Sequence, residues 1–479
     1  MGTLTRGHET RINTSGSWTH FIKDGSFKIG GGVNYTDGKN KRWVDRTITD
    51  HHSGLSSTLS QQAIEPYSRL NLMSNMTLER WLTKSWLLNA EYQLGYDNNK
   101  MDCDFTTDGI ADAANSFNNR YRSTSHALIA GSTVNIGQVQ LQPKASMTWN
   151  HEHQDYRRAL LDTAAVRNRF NVEPSLKASW KMNRSMSLEL TYNYRTTRPE
   201  LLQTIGYRDL SDPLFITEGN PLLKDSHSHQ IQVAYKAIVP SRQLSIGFNA
   251  KYTTADHNNV TALSYDPATN VYISRPETVA GNRVWEVNLN YDHGLGNYFR
   301  LQNDLKVMGG RYYGYLTMLP THSERILNRQ TSVHPKDKLT VSFDHNWIKA
   351  SAFAEVNADQ LRFSQSPIQN TTLWNNNFGI EFEANYRNFV FSSSLTESMR
   401  HGYTSSGMNR NRLLWDASVA WKVLKNKGTV RLYVDDILNQ DDYRWSSQTA
   451  YQQTSEWQDT LHHYIGISFT YHLDAKKKD

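Results

Sequence analysis

Apolar and polar residues alternate along most of this chain, most cleanly near its C-terminus. Leu461, Ile465, Ile467, Phe469, Tyr471 and Leu473 share one parity; Tyr464, Gly466, Ser468, Thr470 and His472 take the other. Successive side chains of an extended strand point to opposite faces, so the pattern predicts a strand over Leu461–Leu473 with one greasy side. Leu413, Trp415, Ala417, Val419, Trp421 and Val423 repeat it, as do Trp285, Val287, Leu289 and Tyr291 against Glu286, Asn288 and Asn290. The second face carries Asp, Glu, Lys, Asn and Gln, so it should meet water.

The predicted strands come in pairs joined by turns of about two to five residues. Turns are expected at Lys23–Asp24–Gly25, Thr83–Lys84, Ile136–Gly137, Met182–Asn183–Arg184, Pro240–Ser241, Gly294–Leu295–Gly296 and Pro335–Lys336–Asp337. Between pairs, Thr36–Ile64, Asp97–Asn119, Arg195–Ser228, Thr253–Asn282, Asn357–Asn370 and Asp435–Thr460 read as long loops. With Leu461–Leu473 left over, about nineteen strands result. Two-faced strands fit a soluble sandwich or a barrel whose apolar face meets lipid. Short turns on one side and long loops on the other, with strands of about ten residues or more, favour the membrane barrel. The expected fold is all-β: a transmembrane antiparallel up-and-down β-barrel over residues 1–473, with residues 474–479 as a charged tail.

Composition supports this. The 479 residues are 38% hydrophobic with a mean hydropathy of −0.67, and no run approaches the ~18 apolar residues of a transmembrane helix. Tyr 25, Phe 16 and Trp 13 suit positions half in lipid and half in water. The net charge of +6 is small for the length, and only Lys476–Lys477–Lys478 forms a basic run, so no nucleic-acid partner is expected. Cys103 stands alone, which excludes a disulfide framework and a multi-cysteine metal site. Residues 1–7 contain no apolar signal segment. Counting back from a last strand that ends in the periplasm puts each short turn in the periplasm and each long loop outside. The strand beginning near His8 then runs inward, so an odd number of strands should precede it. Three more would give about twenty-two, the size that encloses a plug. The expectation is a C-terminal portion of a longer receptor, with its first strands and plug missing.

The Arg195–Ser228 loop is rich in Pro199, Pro213, Gly219 and Pro221, residues that restrict or specially permit backbone angles and make a rigid loop. It is expected to fold back and cap the barrel, with Tyr207 and Arg208 as candidate ligand contacts. Asp102, Asp104, Asp108 and Asp112 offer oxygens of the kind that bind Ca²⁺, but no Glu closes the loop at EF-hand spacing, and a solvated acidic loop is expected. The carboxylates around Cys103 should raise its thiol pKa and leave it unreactive. His51–His52, His151 with His153, His227 with His229, and His462–His463 form pairs without a third ligand, so no metal is assigned. There is no nucleophile elbow, phosphate loop, dinucleotide fingerprint or His-Glu-x-x-His, so neither catalytic residues nor a cofactor are assigned.

A set of short segments carries a resemblance: Tyr194–Arg195–Thr196–Thr197–Arg198–Pro199, Asp209–Leu210–Ser211–Asp212–Pro213–Leu214, Gly219–Asn220–Pro221–Leu222–Leu223, Pro335–Lys336–Asp337–Lys338–Leu339, Arg400–His401–Gly402–Tyr403, Gly407–Met408–Asn409 and Val434–Asp435–Asp436–Ile437–Leu438–Asn439. With Gly466–Tyr471 they resemble the barrel of TonB-dependent outer-membrane receptors of the Bacteroidetes type. The resemblance covers most of the chain from about residue 120 onward. It implies a bacterial outer-membrane location, a barrel of about twenty-two strands around a plug, and uptake of a scarce solute such as a siderophore, glycan or peptide. The implied partners are the lipid bilayer, a TonB-type energising complex acting through the plug, and a surface lipoprotein. A surface scaffold or adhesin barrel without transport is the alternative reading, and an outer-membrane enzyme a weaker third.

Overall fold

The computed structural model describes residues 2–49, 56–159, 161–210, 212, 214–266, 271–317, 325–365, 370–404, 406–425, 427–441, 443–448, 453–458 and 463–472. The wall consists of β1 (Gly2–Ile22), β2 (Gly25–Thr49), β3 (Ser56–Thr83), β4 (Trp86–Thr107), β5 (Phe117–Ile136), β6 (Val139–Arg158), β7 (Leu161–Lys181), β8 (Met186–Thr197), β9 (Ser226–Val239) and β10 (Leu244–Ala255). It continues through β11 (Arg283–Leu295), β12 (Phe299–Thr317), β13 (Arg325–His345), β14 (Ile348–Phe363), β15 (Thr371–Tyr386), β16 (Phe389–His401), β17 (Asn411–Val423), β18 (Gly428–Asp435) and β19 (Tyr464–Tyr471). Each pairs antiparallel with the next in chain order. The fold is thus all-β, up and down. β1 and β19 run in the same direction, and among the described residues no ladder joins them.

Tight turns close one end. Asp24 (φ 61), Asn346 (φ 42) and Arg387 (φ 53) hold left-handed backbone there, the conformation that hairpin turns demand. The turn expected at Pro335–Lys336–Asp337 does not form. β13 runs straight through, pairing Pro335 with Val307, and reverses at Asn346–Trp347. On its β14 side the ladder skips from Val333–Gln360 to Lys336–Asn357. Proline has no N–H to donate, and the strand accommodates it by leaving that rung open. His334 Nδ1 lies 2.7 Å from Asp359 Oδ1 across the gap.

Much of what polarity marked as loop is strand. β2 reaches Thr49 and β3 starts at Ser56, inside the Thr36–Ile64 segment. β4 continues to Thr107 and β14 to Phe363, within Asp97–Asn119 and Asn357–Asn370. Above a bilayer both faces of a strand are wet. The alternation fades there while the backbone ladder continues. Thr253–Asn282 holds its own hairpin (His257–Asp266 with Val271–Ala280), and Asp435–Thr460 another (Tyr443–Gln448 with Gln453–Gln458). The last strand is described over Tyr464–Tyr471, and Leu461, His462 and Leu473 lie outside the described residues.

The two faces are inverted relative to a soluble protein. Trp415, Val419, Trp421, Ile467 and Phe469 are exposed, Ile467 at 74%, and among the described residues no second sheet covers them. Such a face suits hydrocarbon. At the tight-turn end Trp86, Trp180, Trp347, Tyr386, Phe389 and Trp421 are exposed, and Phe389 stacks on Trp421 with ring centroids 6.0 Å apart, as in a membrane-interface girdle. The opposite face is a polar mesh. Asn71 donates to Asp97 (2.6 Å), Asn288 to Glu286 (2.9 Å), and Lys306 Nζ lies 3.3 Å from Glu286. Among the described residues a cluster of buried apolar side chains forms toward the far end, where Ala63, Cys103 and Phe105 meet Phe117.

Candidate ligand site at the extracellular mouth

Between β8 and β9 the chain makes two short strands, Arg208–Asp209 and Phe215–Glu218, that pair with each other. Phe215–Glu218 also runs parallel to Val271–Ala280, which pairs with His257–Asp266. Two loops distant in sequence therefore share one sheet. Gly219 permits the first of these loops to fold back on itself, because a Cβ there would sit 1.8 Å from the Ile205 carbonyl oxygen. Asn220, 1% exposed, staples the loops together. Its Nδ2 donates to the Pro276 carbonyl (2.8 Å) and Glu277 (2.9 Å), and its Oδ1 accepts from Arg275 and the Leu222 N–H (both 3.0 Å).

A second staple fixes this sheet to the wall. Arg158, at the tip of β6 and 5% exposed, reaches Asp209 (2.6 Å), Asn115 (2.9 Å) and the Ala114 carbonyl (3.0 Å). Tyr207 lies edge-on to Tyr156 at 5.7 Å, and burial raises its hydroxyl pKa above the usual phenol value. Arg208 is exposed and ion-paired, its Nε 3.0 Å from Glu218.

The start of the same loop, Pro199–Leu202, roofs one side of a cavity of about 590 Å³ that is lined also by Tyr67, Arg69, Tyr121, Glu152, Arg167 and Arg198. Glu152 is its hub, accepting from Arg167 Nε (2.6 Å) and the Tyr121 hydroxyl (2.9 Å), with Arg198 Nη1 at 4.0 Å. Arg167 Nη1 also donates to the Pro199 carbonyl at 3.0 Å, tying the roof to the lumen wall. Arg198 donates to the side-chain oxygens of Asn150 (2.6 Å) and Asn171 (3.0 Å). Arg69 stands 5.6 Å over the Tyr67 ring. Guanidinium and phenol donors around a half-closed, polar volume can hold a polar solute at several points. Tyr207 and Arg208 are not among the cavity's lining residues. Arg167, Glu152 and Tyr121 were hidden in the sequence as ordinary polar-face positions that only parity marked as lumenal, while Arg198, just past the end of β8, stood in the sequence only as part of the Tyr194–Pro199 resemblance segment.

The acidic loop does not converge. Asp102 accepts from Asn118 and pairs with Lys100 (3.0 Å), Asp108 accepts the Ser60 N–H (2.9 Å), and Asp112 accepts from Thr107 (2.9 Å) and Asn115 (2.7 Å). Among the described residues no three potential ligands gather around a metal position. Cys103, above the bilayer, has its thiol pushed up to about 11, mainly by burial and then by Glu65. The carboxylates expected to dominate are secondary. His151 with His153 and His227 with His229 each share a face of their strand, while His51–His52 lie outside the described residues.

Residues 20–471 match the model of the outer membrane protein beta-barrel family. The chain belongs to this family. It is an outer-membrane β-barrel wall, and its apolar face is the lipid face. No match is found among curated proteins. Among solved structures it is similar to the copper transporter OprC, at 9% identity over 98% of this chain and 78% of that one with a TM-score of 0.45. It is also similar to the FrpB iron transporter from Neisseria meningitidis, at 10% identity over 98% and 80% with a TM-score of 0.44. The ferric citrate transporter FecA in its unliganded form aligns at 12% identity over 97% and 60% with a TM-score of 0.46.

Proposed function

We propose that this barrel is the wall of a TonB-dependent receptor that captures a scarce polar solute at the cell surface and passes it inward. The observation that carries this reading is the roofed cavity. The loop that goes on to form the two-loop sheet closes one side of a lumenal pocket through Pro199–Leu202, and the pocket's arginines and carboxylate are already positioned by one another. A pore for free diffusion has no use for such a roof, whereas capture before energised release does. In this reading further strands and a plug, N-terminal to the residues of this chain, complete the barrel, and the plug is the element that an energised periplasmic partner remodels. Tyr207 and Arg208 belong to the roof and act on ligand through its position.

The test is uptake by cells expressing the complete receptor, with a fluorescent panel of ferric siderophores, oligosaccharides, peptides and cobalamin. One class should accumulate, and accumulation should stop when a protonophore collapses the inner-membrane gradient. Accumulation that survives the protonophore means diffusion. Failure of every class to accumulate beyond a strain lacking the gene sinks the transport reading and leaves a surface scaffold.

A further inference from the structure

The charges around the Glu152 cavity balance, but they do not all pair. Lys100 is matched by Asp102 (3.0 Å), and Arg11 by Glu9, which also accepts from the Tyr67 hydroxyl (2.7 Å). Arg69, Arg167 and Arg198 then stand against Glu152 and Glu200 in the lining, and against Asp97 one same-face step below Arg69. Asp97 accepts from two neutral groups, Asn71 (2.6 Å) and Ser123 (3.3 Å), and pairs with no cation among the described residues. Three cations meet three carboxylates, so the volume carries no surplus that would draw in a multiply charged chelate.

Two of the lining charges have no partner of opposite sign. Arg69 covers the Tyr67 ring at 5.6 Å and makes no ion pair among the described residues. The Glu200 side chain makes neither a hydrogen bond nor an ion pair among them. Both residues are exposed, in contrast to Glu152, which Arg167, Arg198 and Tyr121 surround. The register sets the two apart. Arg69, Asn99, Tyr121 and Gln154 are direct neighbours across β3, β4, β5 and β6, and Arg167 in β7 holds the Pro199 carbonyl next to Glu200. Four strand spacings, roughly 19 Å between backbones, less the reach of the two side chains, match an extended chain of about three or four residues at roughly 3.4 Å each. Between them the Asn99 amide has no partner among the described residues. It offers an acceptor and two donors to a backbone lying across the wall.

We propose that this cavity selects a short peptide with free ends, its carboxylate on Arg69 and its ammonium group on Glu200. The inference rests on reading the cavity as the capture site. A zwitterion adds no net charge to a balanced volume and meets both unmatched groups with charge-assisted hydrogen bonds. A neutral oligosaccharide leaves both charges without a counter-ion where water is displaced, and a chelate of one sign satisfies only one of them.

The test compares isotope-labelled tetra-alanine with its N-acetyl and C-amide forms, in cells expressing the complete receptor. The free-ended peptide should accumulate while the inner-membrane gradient is intact, and each blocked form about tenfold less, the scale of one charge-assisted contact. Glu200→Gln should abolish the preference for a free amino end and keep that for a free carboxylate. Arg69→Gln should do the reverse. Unchanged gel mobility before and after heating shows that each variant is folded. Equal accumulation of the three forms, or preferences that neither folded variant alters, overturns the proposal. Gradient-dependent accumulation of a siderophore, oligosaccharide or cobalamin that tetra-alanine does not inhibit overturns it and leaves the transport reading standing. Failure of every class to accumulate removes both.

Discussion

Asn220 shows how much a single side chain can decide. Four hydrogen bonds converge on one amide that is 1% exposed, so truncation strands their partners. Asn220→Ala should cost about 1–3 kcal/mol, the usual penalty for orphaned buried groups. The loss should be local, seen as faster protease cleavage within residues 206–224 on intact cells, while the barrel's gel mobility stays native. Asp112 gives a pH-dependent counterpart. Burial opposes its charge, but donors from Asn115 and Thr107 outweigh this and hold its carboxyl below the usual value. Its folded pKa lies below its unfolded one, so its contribution is complete above the ordinary carboxylate range of about 4 and is lost as pH falls through the depressed value. Protection of the Ala114 and Asn115 amides, taken relative to the free-chain exchange rate at each pH, should therefore hold at pH 5 and fall in stronger acid. Asp112→Ala should lack that protection at both. Unchanged wild-type protection across that range would contradict the assignment.

At the scale of the strand, everything depends on which face meets lipid. Ile380 in β15 is 57% exposed and sits about half-way up the apolar band at roughly 2.5 Å of height per tilted residue. Ile380→Arg should destabilise the barrel by about 2–4 kcal/mol, the penalty for arginine near a bilayer midplane. Its neighbour Glu383 faces the lumen, and Glu383→Gln should leave stability almost unchanged. Urea unfolding from lipid vesicles compares the two, and equal penalties would reverse the faces. Pro335 carries a related lesson. A proline–lysine–aspartate triplet reads as a turn, yet it is accommodated mid-strand because one open rung is cheaper than breaking the long β12–β13 ladder.

At the scale of the molecule, the mouth is organised by pairing between loops that the chain order keeps apart. Ile216 and Ile273 are direct neighbours in the parallel ladder, within the reach of a disulfide. Ile216→Cys with Ile273→Cys should cross-link on oxidation, read as a mobility shift after cleavage between them, while buried Cys103 stays reduced. If the cysteines do not link, the shared sheet is wrong. If they link and uptake is unaffected, the two loops act as a fixed roof; if uptake stops, their separation is part of the transport cycle.

The strand count, the lipid face and the position of most tight turns were legible because a bilayer imposes a strict local rule: every second residue must be apolar across its thickness, as with Trp415, Val419 and Trp421. The rule lapses in water. The outer halves of β2, β3 and β4 therefore looked like loops, and the shared sheet over Phe215–Glu218 and Val271–Ala280 left no periodic trace. Arg158 with Asp209, and Glu152 with Arg167, are pairings across 51 and 15 residues, the second set by the register of neighbouring strands and the first by the seat of the mouth sheet on the wall. Such contacts depend on where the backbone brings distant segments together. The folded arrangement alone decided them, and with them the cavity.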